Sequence, residues 1–208
     1  MIERQRSGWR RTLRLTAAAI AVAAVAAVCL SGCSGVSIGD VLATAGHDET
    51  VTLGGKKWMT KNLNVKRSDS WCYDNNSVNC DKYGRLYTWS AAKAACQSVG
   101  MRLPTNAEWD ALVYEAGGYS TAGKRLKSKG GWYNNGNGTD QYGFSALPGG
   151  GRSSDGHFSL AGYHGYWWTA TEGSEGNAYG RGMSYNYDGV GEGNFGKGYG
   201  FSARCVQD

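Results

Sequence analysis

Histidines and closely spaced cysteine pairs, from which many catalytic and metal sites are built, are scarce in this sequence. The chain has three histidines among 208 residues, and His157 and His164 lack the spacing of a metal-binding pair. No cysteine from Cys72 onward belongs to a CxxC pattern of the kind that zinc sites favour. The residues around Asp74 do not follow the calcium-binding loop of an EF-hand. We therefore expect no metal, no cofactor and no catalytic centre, and we expect these histidines and His47 to lie at the surface.

Long apolar runs are limited to one segment near the N-terminus, which is too short and too rich in alanine to predict a membrane span. It covers about residues 15–30, follows a leader with five arginines and ends in Leu30-Ser31-Gly32-Cys33. This order of basic, apolar and small residues is typical of an export signal. The last four residues resemble a bacterial lipobox, which implies cleavage before Cys33 and lipidation of that cysteine. The alternative is an ordinary secretory signal with an incidental cysteine.

Cleavage after residue 32 changes the charge of the chain. Residues 1–32 hold five of the 22 basic residues and one of the 17 acidic ones, so the net charge of +5 falls to 17 basic against 16 acidic residues. This balance gives no support to nucleic-acid binding. We expect a signal peptide over residues 1–32, a lipidated tether over 33–50 and one domain over 51–208. Acyl chains would hold the protein on a membrane of the bacterial envelope, and Ser34 resembles the residue that follows the lipidated cysteine in outer-membrane lipoproteins.

Cleavage would remove Cys29 and lipidation would occupy the thiol of Cys33, so four cysteines remain for disulfides. An even number in an oxidising compartment predicts two disulfides, which can connect the four residues in three ways. The turn-rich segment between Cys72 and Cys80 favours a local bridge. That choice leaves Cys96 to pair with Cys205.

Helical signals are confined to the first half of the mature chain. Residues 51–60 predict two short strands about a Gly54-Gly55 turn. Apolar spacing predicts a helix over about residues 88–99, and Thr105 and Glu108 form a capping box at the start of a second helix. After about residue 117, glycine and polar residues alternate with aromatic ones, which favours short strands and ordered loops around a packed core. The predicted fold class is α+β.

Six short motifs occur in order from residue 58 to residue 205. They are WMTKNLN (58–64), YGRLYTW (83–89), RLPTNAEW (102–109), GTDQYGFSALPGG (138–150), GYWWTATE (165–172) and GFSARC (200–205). Together they resemble the Fibrobacter succinogenes major paralogous domain family, which has a C-type-lectin-like fold. The resemblance implies two helices on short, twisted, mostly antiparallel strands with long ordered loops. It also implies the Cys96–Cys205 pairing, because domains of this fold commonly join the first helix to the last strand.

The RLPTNAEW motif is similar to one in formylglycine-generating enzymes, which have a related fold and bind copper through two close cysteines. Here Cys205 is the only cysteine after Cys96, so the second thiol is missing. The Glu-Pro-Asn and Trp-Asn-Asp signatures of calcium-dependent sugar-binding lectins are missing as well. Neither the oxidase activity nor sugar binding therefore follows from the fold resemblance.

Residues 177–199 have the composition of a binding surface, because tyrosine, serine, glycine and asparagine also dominate antibody paratopes. The segment further resembles the variable regions that diversity-generating retroelements produce by adenine mutagenesis. An ordinary loop of this family is the alternative. The candidate ligand-binding residues are Gly180, Gly182, Ser184, Asn186, Tyr187, Asp188, Gly189, Gly191, Gly193, Asn194, Gly196, Gly198 and Tyr199.

The sequence favours a non-enzymatic domain that is displayed on the bacterial envelope and binds a protein or glycan ligand. A structural or adhesive surface protein with broad, weak contacts is the second hypothesis. A copper-dependent oxidase is the least favoured, because the chain lacks the required cysteine pair.

Overall fold

The computed structural model of the chain describes residues 49–208. The predicted signal peptide, the predicted lipidation residue Cys33 and His47 lie outside the described residues. Within residues 49–208, no helix has both the length and the apolar character needed to span a bilayer.

The described part of the chain contains four α-helices and eleven β-strands, together with two single turns of 3-10 helix. The helices are α1 Ser77–Tyr83, α2 Trp89–Gln97, α3 Asn106–Glu115 and α4 Ala122–Leu126. The strands are β1 Thr50–Leu53, β2 Lys56–Met59, β3 Ser70–Trp71, β4 Leu86–Tyr87, β5 Gly149–Arg152, β6 Phe158–Ala161, β7 His164–Glu172, β8 Asn177–Ser184, β9 Gly191–Gly196, β10 Phe201–Ser202 and β11 Val206–Gln207. The helices precede most of the strands, in agreement with the predicted α+β class.

The strands form two sheets. The smaller has the order β1-β2-β11 and joins the start of the domain to its end. The predicted turn at Gly54-Gly55 connects β1 to β2, and both glycines have the positive φ that this turn requires. The larger sheet has the order β3-β4-β10-β7-β5-β6, and β8 and β9 extend it from β7. Within residues 49–208, only the pairs of β7 with β10 and with β5 are parallel.

Two neighbouring tryptophans on β7 organise the two halves of the core. Successive side chains of a strand point to opposite faces, so Trp167 packs towards Trp109 of α3 while Trp168 packs against Phe201. Both tryptophans are fully buried. A buried side chain of this kind stabilises a fold by about 1.5–3 kcal/mol. The aromatic residues of the second half therefore form the packed core that their frequency predicts.

The two predicted helices are present, and α3 begins with its predicted capping box. Thr88 precedes α2 and accepts a hydrogen bond from the backbone N–H of Ala91, and Gly100 beyond its end has a φ of 71°. Thr105 and Glu108 form both hydrogen bonds of the capping box at the start of α3.

The RLPTNAEW motif also anchors the C-terminus. The Arg102 guanidinium binds both carboxylate oxygens of Glu108 at 2.8 and 2.6 Å, and it reaches Asp208 at 2.5 Å. These hydrogen bonds from Arg102, with one from the Thr105 backbone, lower the pKa of Glu108 to about 2. The motif is thus a structural clamp on the last residues of the domain.

The structure contains both predicted disulfides, Cys72–Cys80 and Cys96–Cys205. The second joins α2 to the segment between β10 and β11, and both of its cysteines are fully buried. Two short helices were not predicted. α1 lies partly within the Cys72–Cys80 loop, and α4 lies in the region where helical periodicity is lost.

Candidate functional site

The thirteen residues proposed from the sequence lie on one β-hairpin and the turn after it. In β8 these are Gly180, Gly182 and Ser184; in the connecting loop Asn186, Tyr187, Asp188 and Gly189; in β9 Gly191, Gly193, Asn194 and Gly196; and beyond it Gly198 and Tyr199. The structure therefore places them along one hairpin, with the connecting loop at one end and Gly198 and Tyr199 beyond the other, and they differ strongly in exposure.

Several strand glycines make room for aromatic rings. A Cβ atom on Gly193 would lie 2.5 Å from the Phe195 ring, and one on Gly180 would lie 3.2 Å from the same ring. A Cβ on Gly182 would lie 3.4 Å from the ring of Tyr166. These glycines shape the surface by packing, and Gly180 itself is buried.

Gly189 holds the connecting loop against the body of the domain. A Cβ atom on Gly189 would lie 2.2 Å from the carbonyl oxygen of Tyr119, and one on Gly123 of α4 would lie 2.2 Å from the carbonyl oxygen of Gly189. No side chain fits at either position without a backbone shift. Gly189 is buried, and its lack of a side chain lets the loop pack closely against the body of the domain.

The exposed side chains form a smaller set within the thirteen residues. Tyr187 is 54% exposed and Tyr199 is 37% exposed. The other exposed side chains of the set are Asn186, Asp188 and Asn194. This set has the mixture of aromatic and small polar groups that favours adaptable binding.

Three tyrosines from distant segments meet beside the connecting loop, and we call them the tyrosine cluster: Tyr133, Tyr163 and Tyr185. The rings of Tyr133 and Tyr163 stack with centroids 4.4 Å apart, and Tyr185 meets each of them edge-on at 5.5 Å. Tyr133 is 51% exposed and Tyr163 is 38% exposed. The cluster therefore adds a second aromatic surface to the hairpin.

Backbone hydrogen bonds hold the tyrosine cluster together. The N–H of Tyr133 donates to the carbonyl of Gly162 at 2.8 Å, and the N–H of Tyr185 donates to the carbonyl of Tyr163 at 2.9 Å. Leu160, close to Tyr163 in the chain, is exposed and has a φ of +69°, in the left-handed region of backbone conformation. A leucine in that conformation costs about 1–3 kcal/mol, and such strain is most frequent at functional sites.

The sequence interpretation confined the binding surface to residues 177–199, did not select Tyr185 within that segment, and missed Tyr133 and Tyr163. Both lie in segments of similar composition, Tyr133 before Asn134-Asn135-Gly136 and Tyr163 after Gly162. That shared composition is the signal by which they could have been found.

Lys127 is almost fully buried below the connecting loop. Its Nζ donates to the carbonyl oxygens of Ser184 at 2.9 Å and Tyr187 at 3.0 Å, and it lies 5.3 Å from the centre of the Trp132 ring. Burial lowers the pKa of Lys127. One ammonium group thus fixes the start and the middle of the loop.

Arg181 fixes the loop end of the hairpin on α3. Its fully buried guanidinium binds Asp110, Glu192 at 2.8 Å and the Asn106 side chain at 2.7 Å. Glu192 lies opposite Arg181 on β9. Both strands of the hairpin are therefore tied to one helix through the buried guanidinium of Arg181.

The acidic, histidine and cysteine side chains of the described residues do not form a metal-binding cluster. Residues 49–208 contain no group of three or more His, Cys, Asp or Glu side chains that could hold a metal ion. His157 is exposed as predicted and lies 3.2 Å from Asp155. His164 differs from the prediction, because it begins β7 and stacks 5.8 Å from the Tyr166 ring, where it is half-buried. Burial lowers its pKa.

This arrangement offers aromatic faces, amide groups and hydroxyl groups on a loop whose backbone is held by the buried Lys127. Such groups bind by contact area and hydrogen bonding. The site residues are thus suited to recognition of a ligand surface.

A family model described as the Fibrobacter succinogenes major domain matches residues 51–207. No curated protein matches this chain. No solved structure matches it either. The matched range contains both disulfides, the hairpin and the tyrosine cluster. The chain belongs to the Fibrobacter succinogenes major domain family.

Proposed function

We propose that this protein is a lipid-anchored protein of the bacterial envelope whose C-type-lectin-like domain binds a protein or glycan ligand without catalysing a reaction. The observation that carries the proposal is the exposed aromatic surface formed by the tyrosine cluster and Tyr187. Tyrosines supply a large contact area at a low cost in side-chain entropy.

The rigid support below the loop also favours binding. Lys127 and Arg181 are buried and hold the loop and strands through several hydrogen bonds. A surface that is ordered before it meets a ligand loses less conformational entropy on binding. Free energy gained from the tyrosine contacts is then available for affinity.

The anchor and the lectin-like fold rest on other features. The Leu30-Ser31-Gly32-Cys33 sequence supports lipidation and an outer-membrane position. The pairing of β2 with β11 joins the two ends of the domain. The Cys96–Cys205 bridge joins helix α2 to the segment before the last strand, which supports a C-type-lectin-like fold. A tether of about 18 residues would keep the binding surface near the membrane.

Retroelement diversification, as part of this proposal, is compatible with only some of the thirteen positions. The exposed side chains of Asn186, Tyr187 and Asn194 can be exchanged without disturbing the core. Gly189 and Gly193 have close packing partners and would resist substitution. A near-copy repeat of the coding DNA that differs at adenines would support diversification, and its absence together with that of a reverse-transcriptase gene would refute it.

The proposed function is tested with the full chain in detergent micelles against a panel of glycans and cell-surface proteins. We expect saturable binding to one class of ligand. Tyr187→Ala and Tyr133→Ala should weaken it about tenfold or more, as hot-spot truncations do. Binding that never saturates and is unchanged in both variants would favour the structural or adhesive hypothesis instead.

A further inference from the structure

The guanidinium of Arg85 lies against both sulfur atoms of the Cys72–Cys80 disulfide. Its Nη1 atom is 3.4 Å from each Sγ atom. Two hydrogen bonds to Ser70 fix this position, from Nε to Oγ at 3.0 Å and from Nη2 to the carbonyl oxygen at 2.8 Å. Arg85 takes part in no ion pair with a carboxylate of residues 49–208. The sulfur atoms are therefore the groups on which the charge of Arg85 acts at close range.

The two cysteines of this disulfide differ in access. Cys72 is half-buried, whereas Cys80 is buried. An incoming thiolate therefore reaches Cys72 more easily, which makes Cys80 the leaving group. Cys96 and Cys205 are both fully buried, and among the described residues no cationic side chain donates to their sulfur atoms. The second disulfide serves as an internal comparison.

A guanidinium beside a disulfide changes the rate of thiol–disulfide exchange, because it stabilises the thiolate that leaves. A positive charge beside a thiol stabilises its thiolate form. Thiol–disulfide exchange is faster when the departing thiol has a lower pKa. Arg85 is thus placed where it would accelerate the release of Cys80.

We propose that Cys72–Cys80 is a thiol–disulfide exchange site at which Arg85 stabilises the Cys80 thiolate. The reacting partner is a dithiol, either a small molecule or a protein. One thiolate of the dithiol attacks Sγ of Cys72, a new S–S bond forms, the Cys72–Cys80 bond breaks, and its electron pair remains on Sγ of Cys80.

The second thiol of the dithiol completes the exchange. It loses its proton and attacks the partner's own sulfur in the mixed disulfide, which gives the oxidised partner and frees Cys72. Two electrons pass to the protein and one proton ends on Cys72. The other proton is released to water, while Cys80 remains ionised beside Arg85.

The fold retains other contacts around the disulfide loop, so the loop has support after reduction. The Asn76 side chain caps α1 by accepting from the N–H of Val78 at 3.1 Å. The Asn79 side chain donates to the carbonyl of Tyr73 at 2.9 Å. These contacts do not depend on the disulfide, so we expect the loop to keep its local structure after reduction.

The experiment treats the full chain with excess dithiothreitol, traps thiols with iodoacetamide over time and reads each cysteine by peptide mass spectrometry. We expect Cys72 and Cys80 to become alkylated while Cys96 and Cys205 stay oxidised. Arg85→Gln should slow reduction of Cys72–Cys80 about tenfold, and Arg85→Lys should give an intermediate rate. Equal rates in the wild type and Arg85→Gln would overturn the proposal, as would simultaneous reduction of both disulfides.

A second measurement decides the question if Arg85→Gln disturbs the fold. In Cys72→Ser, the pH dependence of Cys80 alkylation reports the pKa of that thiol. We expect a value below the ordinary cysteine pKa of about 8.5. A value at or above the ordinary one would contradict the proposed role of Arg85.

Discussion

The side-chain oxygen of Asn62 accepts hydrogen bonds from Nη2 of Arg204 at 2.9 Å and from Nε1 of Trp167 at 2.8 Å. Its amide nitrogen donates to the carbonyl of Tyr83 at 2.8 Å. Arg204 is fully buried and also donates to the carbonyl of Met59. Burial lowers the pKa of Arg204, because the charged guanidinium loses its contact with water. One buried amide thus connects four of the six sequence motifs.

Replacement of Asn62 by alanine should reduce the free energy of unfolding by about 3 kcal/mol, because it leaves a buried cation and an indole N–H with fewer acceptors. Urea unfolding followed by tryptophan fluorescence measures this loss. The matched control is Asn194→Ala, which removes an exposed asparagine and should change stability by less than about 0.5 kcal/mol. Equal effects of the two variants would show that the Asn62 contacts contribute little.

Glu108 should make the protein sensitive to acid. Its pKa is lowered from 4.5 to about 2 by the Arg102 hydrogen bonds, so its stabilising effect is complete above pH 4.5 and is lost as the pH falls towards 2. Glu108→Gln should lower the free energy of unfolding by about 1–2 kcal/mol near neutral pH. The difference from the wild type should disappear at low pH.

Denaturant unfolding over a pH series measures this effect. Glu175→Gln, at an exposed glutamate, is the control and should follow the wild-type curve. A difference between Glu108→Gln and the wild type that stays constant down to low pH would contradict the lowered pKa of Glu108 as the cause of the acid sensitivity.

Two glycines of the candidate set should respond differently to alanine. Gly189→Ala places a methyl group 2.2 Å from the Tyr119 carbonyl oxygen, whereas Gly191→Ala meets nothing closer than 3.8 Å. We expect Gly189→Ala to lower the free energy of unfolding by about 1–3 kcal/mol through overpacking. Gly191→Ala should leave it nearly unchanged. Thermal unfolding compares the variants, and similar melting temperatures would contradict the close packing of Gly189.

Lys127 should control the order of the connecting loop. Lys127→Met keeps the side-chain length but removes the two hydrogen bonds to Ser184 and Tyr187, so amide exchange over residues 184–190 should become about tenfold faster. Hydrogen–deuterium exchange with mass spectrometry measures this rate. Lys129→Met, at an exposed lysine, is the control. Unchanged exchange in Lys127→Met would mean that the loop is held by other contacts.

Much of the fold could be predicted because its signals are local. The capping box of Thr105 and Glu108, the glycine turn at residues 54–55 and the short Cys72–Cys80 loop each lie within a few neighbouring residues. The helices α1 and α4 were missed because each has seven residues or fewer. Helices of this length depend on tertiary contacts and carry little periodicity of their own.

The binding surface could be predicted only in part, because it combines distant segments. The sequence pattern indicated the hairpin, but the tyrosine cluster joins Tyr133, Tyr163 and Tyr185 through stacking that depends on the tertiary fold. The role of the glycines in β8 and β9 could not be predicted for the same reason. Their packing against Phe195 and Tyr166 becomes evident only when the strands are paired.

The central claim is that the tyrosine cluster and the connecting loop form a ligand-binding surface. The most direct measurement is the dissociation constant of the full chain for the ligand identified by the panel, in Tyr163→Ala and in the control Tyr114→Ala. Tyr114 is 85% exposed on α3 and lies outside the cluster. We predict that Tyr163→Ala weakens binding about tenfold or more, whereas Tyr114→Ala binds like the wild type. Equal affinities of the two variants would contradict the claim.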